Sequence, residues 1–459
     1  MGLLPAGLIS RPRRREALSE EYVRRTPGSR KLYARAKRVF AGGVNHNARF
    51  FAPHPLFARR AKGANIWDED GNKYVDYWMG HMALILGHSP PVVVEALEDQ
   101  IREGTHFGLG SGLAVELGEE VRKDVPCAEM MRFCNTGAEA TMYLVRLARA
   151  YTGRRTVIKM RGGWHGYNTD LNTGVHRPFI GTEGEGILPE EQAHVESVRF
   201  NDLEEAARAV REKKNDVATI FLEPVLGAGG CIPASRDYLR GLRELSDRTG
   251  VLLAFDEIIT GFRLALGGAQ EFFGVTPDLA TFGKVVGGGL PIGLVAGRRE
   301  MVSLADPARE KRFVSIGGGT FSENPLSMKA GLATLKYLRR NKSTLYPRLD
   351  EEGRLFREGI DEALLEEGVR ADTTGAGSLF MTHFGAAPRN AEEAAGEDGR
   401  AARRYALFMI SRGHFMLPGH AGAISTAHTG KDLLRAIADA RRFAKMLKGQ
   451  TKGGAKVTA

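Results

Sequence analysis

Cysteine is scarce in this chain: Cys127, Cys134 and Cys231 are the only three among 459 residues, an odd number with no CxxC spacing. That argues against a disulfide framework and a zinc site, and it points to a reducing compartment, hence the cytoplasm. Long apolar runs are missing too. No stretch approaches the roughly 20 residues of a membrane span. The apolar opening from Met1 to Ser10 is too short for a secretory signal, and its charges lie on the wrong side. The net charge is +10, from 65 basic and 55 acidic residues, yet no basic stripe interleaved with aromatics accompanies it. Part of the excess sits at the ends, in Arg11, Arg13, Arg14 and Arg15 and in Lys448, Lys452 and Lys456 of a Gly-containing tail. Mobile termini account for these charges, so nucleic acid is not an expected partner. Internal repeats are absent. The biased segment Ala386 to Arg404 reads as a surface loop and the tail as a frayed end.

Glycine, by contrast, is abundant at 57 residues. Without a collagen-like period, that excess predicts tight turns and close backbone approaches to a ligand. A chain of this length predicts one large domain and a smaller one. From about residue 130 to 300, short β-rich runs alternate with helical periods. The runs are Met131 to Cys134, Thr156 to Met160, Val217 to Glu223, Val251 to Asp256, Leu279 to Gly283 and Gly293 to Gly297; helical patterns near 138–150, 203–213 and 236–249 separate several of them. This alternation predicts an α/β fold with a mostly parallel sheet covered on both faces, and ligands beyond the strand C-terminal ends. The segments before about 85 and after about 335 carry more helix and a few half-polar strands, as in Asn65 to Tyr77. The expected division is 86–335 for the large domain, 1–85 and 336–445 for a smaller α+β domain, and 446–459 for a flexible tail.

Three phrases carry chemistry. Asn135-Thr136-Gly137-Ala138-Glu139-Ala140 follows a strand and opens a long helix. Thr136 and Glu139 have capping-box spacing and Gly137 admits a close ligand, so the helix start is a phosphate site or a plain cap. Asp256 ends an apolar strand, where it could accept a protonated ring nitrogen or cap the following turn. Lys284 stands between a strand and Gly287-Gly288-Gly289. A lone lysine is ordinarily a solvated charge, but at a buried strand end its pKa falls and it can form a Schiff base. It is not a P-loop lysine, because it precedes the glycines and no Ser or Thr follows it. The Gly108-Leu109-Gly110-Ser111-Gly112 run lacks the preceding strand that a dinucleotide loop needs.

Together these residues resemble the class III aminotransferases of fold type I, from about Gly42 to Met446, with the closest flavour that of the glutamate-1-semialdehyde 2,1-aminomutase group. The phrase Asp256-Glu257-Ile258-Ile259-Thr260-Gly261-Phe262-Arg263, then Gly283-Lys284, then Gly318-Gly319-Thr320-Phe321-Ser322-Glu323-Asn324-Pro325 carry the likeness in order. It implies pyridoxal 5'-phosphate as cofactor, Lys284 as its Schiff-base lysine and Asp256 as partner of the ring nitrogen. Thr136, Gly137 and Ala138 would hold the phosphate, Ala138 standing where the family usually has Thr. Thr320 would reach the phosphate of a neighbouring subunit, making a homodimer the minimal active unit. Trp164 takes the place of the stacking Tyr, Ile258 would close the other ring face, and His165 and Glu223 belong to the cofactor surroundings. Arg49 would grip a substrate carboxylate bidentately, or make a surface salt bridge.

Two departures concern the substrate. His81 stands where the aminomutase group has a Trp, and His420-Ala421-Gly422-Ala423-Ile424-Ser425 lacks the acid of that group's Glu-Ala-Gly stretch. The expectation is therefore intermolecular amino transfer between a carboxylate-bearing amine and a keto acid, with the aminomutase as the alternative. His81 and His420 could equally be satisfied wall or core histidines. A non-catalytic protein on this fold would lack Lys284 or Asp256, and both are present.

Overall fold

Six of the predicted apolar runs, joined by a seventh strand, form one sheet in the computed structural model, which describes residues 17–452. The four N-terminal arginines and Lys456 lie outside those residues. The strand order is Met130–Cys134, Gly293–Gly297, Leu279–Gly283, Leu252–Glu257, Val217–Leu222, Thr156–Met160 and Val195–Val198. Gly293–Gly297 alone runs antiparallel to its neighbours. Every residue of Thr156–Met160, Val217–Leu222 and Leu252–Glu257 is buried, as parallel strands covered on both faces require. Val195–Val198 was not foreseen, because three of its four residues are only half-buried at the sheet edge.

The predicted helices become Gly137–Thr152, Leu203–Glu212 and Arg236–Thr249. Each starts on a side chain that accepts a backbone N–H, from Thr136, Asp202 or Ser235. Gly153 and Gly250 end two of them in the left-handed region.

The two ends of the chain meet in a second sheet. Ala58–Lys62, Asn65–Asp68 and Lys73–Asp76 form an antiparallel meander, and His414–Phe415 adds to it parallel to Lys73–Asp76. A third sheet joins Asp372–Thr374, Leu379–His383 and Gly422–Ala423. Two expectations need correction. Ala386 to Arg404 is not merely a loop: it contains Ala391–Ala394 and the start of Gly399–Ser411, and Glu392 docks it by pairing with Arg161. The tail does not begin at 446, because the helix Gly430–Lys452 runs on and Met446 and Leu447 still pack against the core. Among the described residues no helix is long and apolar enough to cross a membrane.

Candidate active site

The parallel strands deliver their C-terminal ends to one edge of the large sheet, and a cavity of about 490 Å³ opens there. Ten residues singled out from the sequence line it: Gly137, Ala138, Trp164, His165 and Glu223, together with Asp256, Ile258, Lys284, His81 and His420.

Asp256, next to last in Leu252–Glu257, is 3% exposed. One carboxylate oxygen accepts the Ile258 N–H at 3.0 Å and the Thr281 hydroxyl at 3.3 Å; the other lies 2.8 Å from His165 Nδ1. Burial holds His165 below the ordinary imidazole range, although Asp256 pulls the other way. A neutral ring must then donate from Nδ1, and the buried Nε2 makes no hydrogen bond in this chain. Lys284 follows directly on Leu279–Gly283 and takes a left-handed φ of 49°, an unusual conformation for a side chain of this length. Desolvation lowers its pKa, with Glu223 and Asp256 opposing. Glu223, one residue past Val217–Leu222, accepts the Trp164 N–H at 2.9 Å and the Gly227 N–H at 3.1 Å. Burial, then the charge of Asp256, pushes its carboxyl upward.

Gly137 has no side chain for a local reason: a Cβ there would stand 2.9 Å from Ile258 Cδ1. The helix start and the Ile258 side of the cavity therefore touch. Trp164, on the loop after Thr156–Met160, meets Tyr167 edge to face with centroids 4.8 Å apart.

Three expected residues are not in this cavity. Thr136 is exposed and its hydroxyl is committed to the capping box with Glu139, accepting the Glu139 N–H at 3.1 Å. Thr320 is exposed on a turn. Arg49 faces a neighbouring cavity of about 380 Å³, which it lines with Trp78 and Gly80, while His46, Asn47 and Ala48 of the same segment line the first. The helical turn Asn47–Arg49 divides the two cavities, so adjacent side chains go to different sides.

Other residues were not anticipated. Lys159, fully buried in Thr156–Met160, donates to the carbonyls of Gly163, Leu171 and Thr173 at 2.9, 3.0 and 2.6 Å. It thereby gathers the loop that carries Trp164 and His165. A lysine inside a β-run gives no outward signal in sequence, since its partners are backbone atoms. His81 lies in a left-handed turn, with φ of 47°, 58°, 61° and 64° at Met79, Gly80, His81 and Met82. Each non-glycine residue there costs on the order of 1 kcal/mol. The His81 ring packs on Trp78 and His46, with centroids 4.0 and 4.5 Å away. Burial, followed by the positive charges of His46, Lys284, Arg49 and His420, pushes its pKa down to about 3.

The donor set fits pyridoxal phosphate. It offers a desolvated amine, a buried carboxylate held by a histidine, a flat Trp and an Ile around one space, and a long helix starting at that space. Among the described residues no group of three or more His, Cys, Asp or Glu is arranged to hold a metal.

The sequence profile of the family described as Aminotransferase class-III matches residues 47–404. The chain is 38% identical over 409 residues to the glutamate-1-semialdehyde 2,1-aminomutase of Methanobrevibacter smithii, covering 88% of this chain and 95% of that protein. It superposes on an ω-transaminase from Sphaerobacter thermophilus with a TM-score of 0.85 at 32% identity, over 92% of this chain and 99% of the other. A transaminase solved with PLP bound gives a TM-score of 0.85 at 30% identity, over 93% and 99%. With strand order, cavity and profile in agreement, this chain belongs to the class III aminotransferases, pyridoxal-phosphate enzymes of fold type I.

Proposed function

We propose that the chain moves an amino group on a small carboxylate-bearing substrate, with Lys284 and Asp256 as its catalytic residues. The supporting observation is that these two, one in Leu252–Glu257 and the other just past the neighbouring Leu279–Gly283, line one cavity together with Trp164 and Ile258. Pyridoxal phosphate, when bound, supplies an electron-accepting ring that stabilises negative charge at the substrate carbon. Lys284 would hold the cofactor through its amine and would also be the group to carry a proton to and from that carbon; its lowered pKa keeps it a usable base. Asp256 would keep a proton on the ring nitrogen, and His165, donating to the carboxylate, fixes its orientation. The N–H groups of Gly137 and Ala138 at the helix start would hold the phosphate, and Thr320 would reach it from the partner subunit of a homodimer. Glu223 and Lys159 steady the loop of Trp164.

Of the two reactions, intramolecular transfer on glutamate-1-semialdehyde is the reading supported by the names of the curated relatives, which reach 38–40% identity in Methanobrevibacter smithii and Methanothrix thermoacetophila. This reverses the preference drawn from His81 and His420. Intermolecular transfer remains the second reading on one observation: the cavity wall at His420 and Ala421 carries no carboxylate. Incubation with glutamate-1-semialdehyde alone, against amino donor plus keto acid, separates them. Isomerisation without exchange with a donor is expected; donor-to-acceptor turnover without isomerisation overturns it. Three buried thiols without disulfides suit a reducing cytoplasm.

A further inference from the structure

Arg263 closes the first phrase of the family likeness, yet it lies outside the cavity and no role above uses it. It is 1% exposed, the largest fully buried side chain among the described residues. Among the described residues no carboxylate pairs with its guanidinium, and its hydrogen-bond partners are all neutral. Nε and Nη2 both donate to the Met82 carbonyl, at 3.1 and 2.6 Å. Nη1 donates to the Ser378 hydroxyl at 3.0 Å and to the Ile424 carbonyl at 3.3 Å. Ile424 N–H in turn donates to the Ser378 carbonyl at 2.9 Å, so these two acceptors form one unit.

The three segments so joined are far apart in sequence but not in the site. Met82 ends the left-handed turn that presents His81 to the cavity, and Met82 itself lines it. Ile424 follows Gly422–Ala423, which continues from His420 and Ala421 in the same wall. Arg263 itself stands seven positions beyond Asp256. At its other end the turn is held by Asp76, whose Oδ1 accepts the N–H groups of Trp78 and Met79 at 2.8 and 3.1 Å. A left-handed run with three non-glycine residues persists only where its surroundings dictate it. Here those surroundings are the Asp76 carboxylate on one side and a planar, two-donor grip on the other. The guanidinium's fixed fork suits that grip, and the single ammonium of a lysine cannot reproduce it.

We infer that Arg263 is a positioning residue for substrate recognition: by tying the Met82 carbonyl to the Ser378–Ile424 unit, it sets the distance between the His81 and His420 walls and the cofactor site. The inference rests on the amino-transfer reading above. It predicts an effect on substrate binding rather than on cofactor retention, because neither Asp256 nor Lys284 is among its hydrogen-bond partners.

The test uses holoenzyme carrying Arg263→Lys, and separately Ser378→Ala, which removes one acceptor without touching the cavity. Visible absorbance of the bound cofactor is read first, then kcat and KM for the substrate on which wild-type protein turns over. Arg263→Lys is expected to retain the cofactor band with KM raised about tenfold and kcat within about threefold, and Ser378→Ala to raise KM by about two- to threefold. Unchanged KM in both variants overturns the inference. If Arg263→Lys fails to fold, Ser378→Ala decides alone: a raised KM with an intact band supports the inference, and an unchanged KM overturns it. A wild-type protein with neither cofactor band nor turnover overturns the proposed function itself, an outcome distinct from an active wild type with indifferent variants.

Discussion

At the scale of single residues, the chemistry depends on groups whose environments differ sharply from water. Lys284 is desolvated and its pKa is lowered, while Asp256 sits behind it, fixed by three donors from Ile258, Thr281 and His165. Lys284→Ala should abolish the visible absorbance of covalently held cofactor and lower kcat by at least about 10³-fold, the range for loss of a positioned proton carrier, as read by spectroscopy and steady-state turnover. Asp256→Asn should retain cofactor but lose about 10²-fold or more in kcat, because an amide cannot hold the ring-nitrogen proton by charge. Both residues drew notice in the sequence because each ends an apolar run abruptly, but only the family resemblance implied their roles. Lys159 was not, since its three acceptors are carbonyls brought in by a loop.

At the scale of elements, the site depends on how a strand hands over to a loop or helix. The capping box of Thr136 and Glu139 was legible as a spacing and is present. Its cost was not legible: the Thr136 hydroxyl is occupied by the cap, which leaves Gly137 and Ala138 as the helix start facing the cavity. The loop after Thr156–Met160 hangs on Lys159, so Lys159→Met, of similar length but without donors, leaves three buried carbonyls short of a partner. It should destabilise the protein by about 3 kcal/mol or more, measured by denaturant unfolding, at about 1 kcal/mol or more for each lost acceptor. Turnover should fall in the fraction that stays folded, because Trp164 and His165 ride on that loop. A mutant with wild-type stability would show that the loop is held by something else. Strand limits were recovered to within a residue where both faces are covered, as in Leu279–Gly283, and Val195–Val198 escaped because a half-polar edge strand looks like a loop.

For the whole molecule, we propose that, of the expected 1–85, the described residues 17–85 form one smaller unit with 336–445 against 86–335, as the pairing of Lys73–Asp76 with His414–Phe415 suggests. Thr320 and Phe321 lie exposed, Phe321 at 60%, where a second subunit would cover them. Mixing Lys284→Ala and Thr320→Ala subunits one to one should restore about a quarter of the wild-type activity, roughly half per mixed dimer, because only mixed dimers contain one site that combines the two intact residues, if Thr320→Ala alone is inactive. Mixed dimers no more active than the separate mutants would remove Thr320 from the partner's site. The fold also excludes protons. Burial pushes His428 down to about 4, against the opposing pull of Asp76 and Asp432. Below its ordinary value near 6.5 the unfolded chain therefore takes up a proton that the fold refuses, and stability drops as pH falls from about 6.5 toward 4, by about 1.4 kcal/mol per pH unit for this one group. Thermal melts across that range should show the decline, less steep in His428→Gln.

By itself the sequence determined the alternation of strand and helix and the family, and it singled out the pair proposed here as catalytic, because apolar periodicity and short local phrases act over a few residues. Tertiary structure alone decided which walls face which cavity, that Arg49 turns away from His46, and that Arg263 fastens a left-handed turn to residues near the other end of the chain. Those outcomes depend on burial and on backbone acceptors distant in sequence, and neither leaves a mark in the order of side chains.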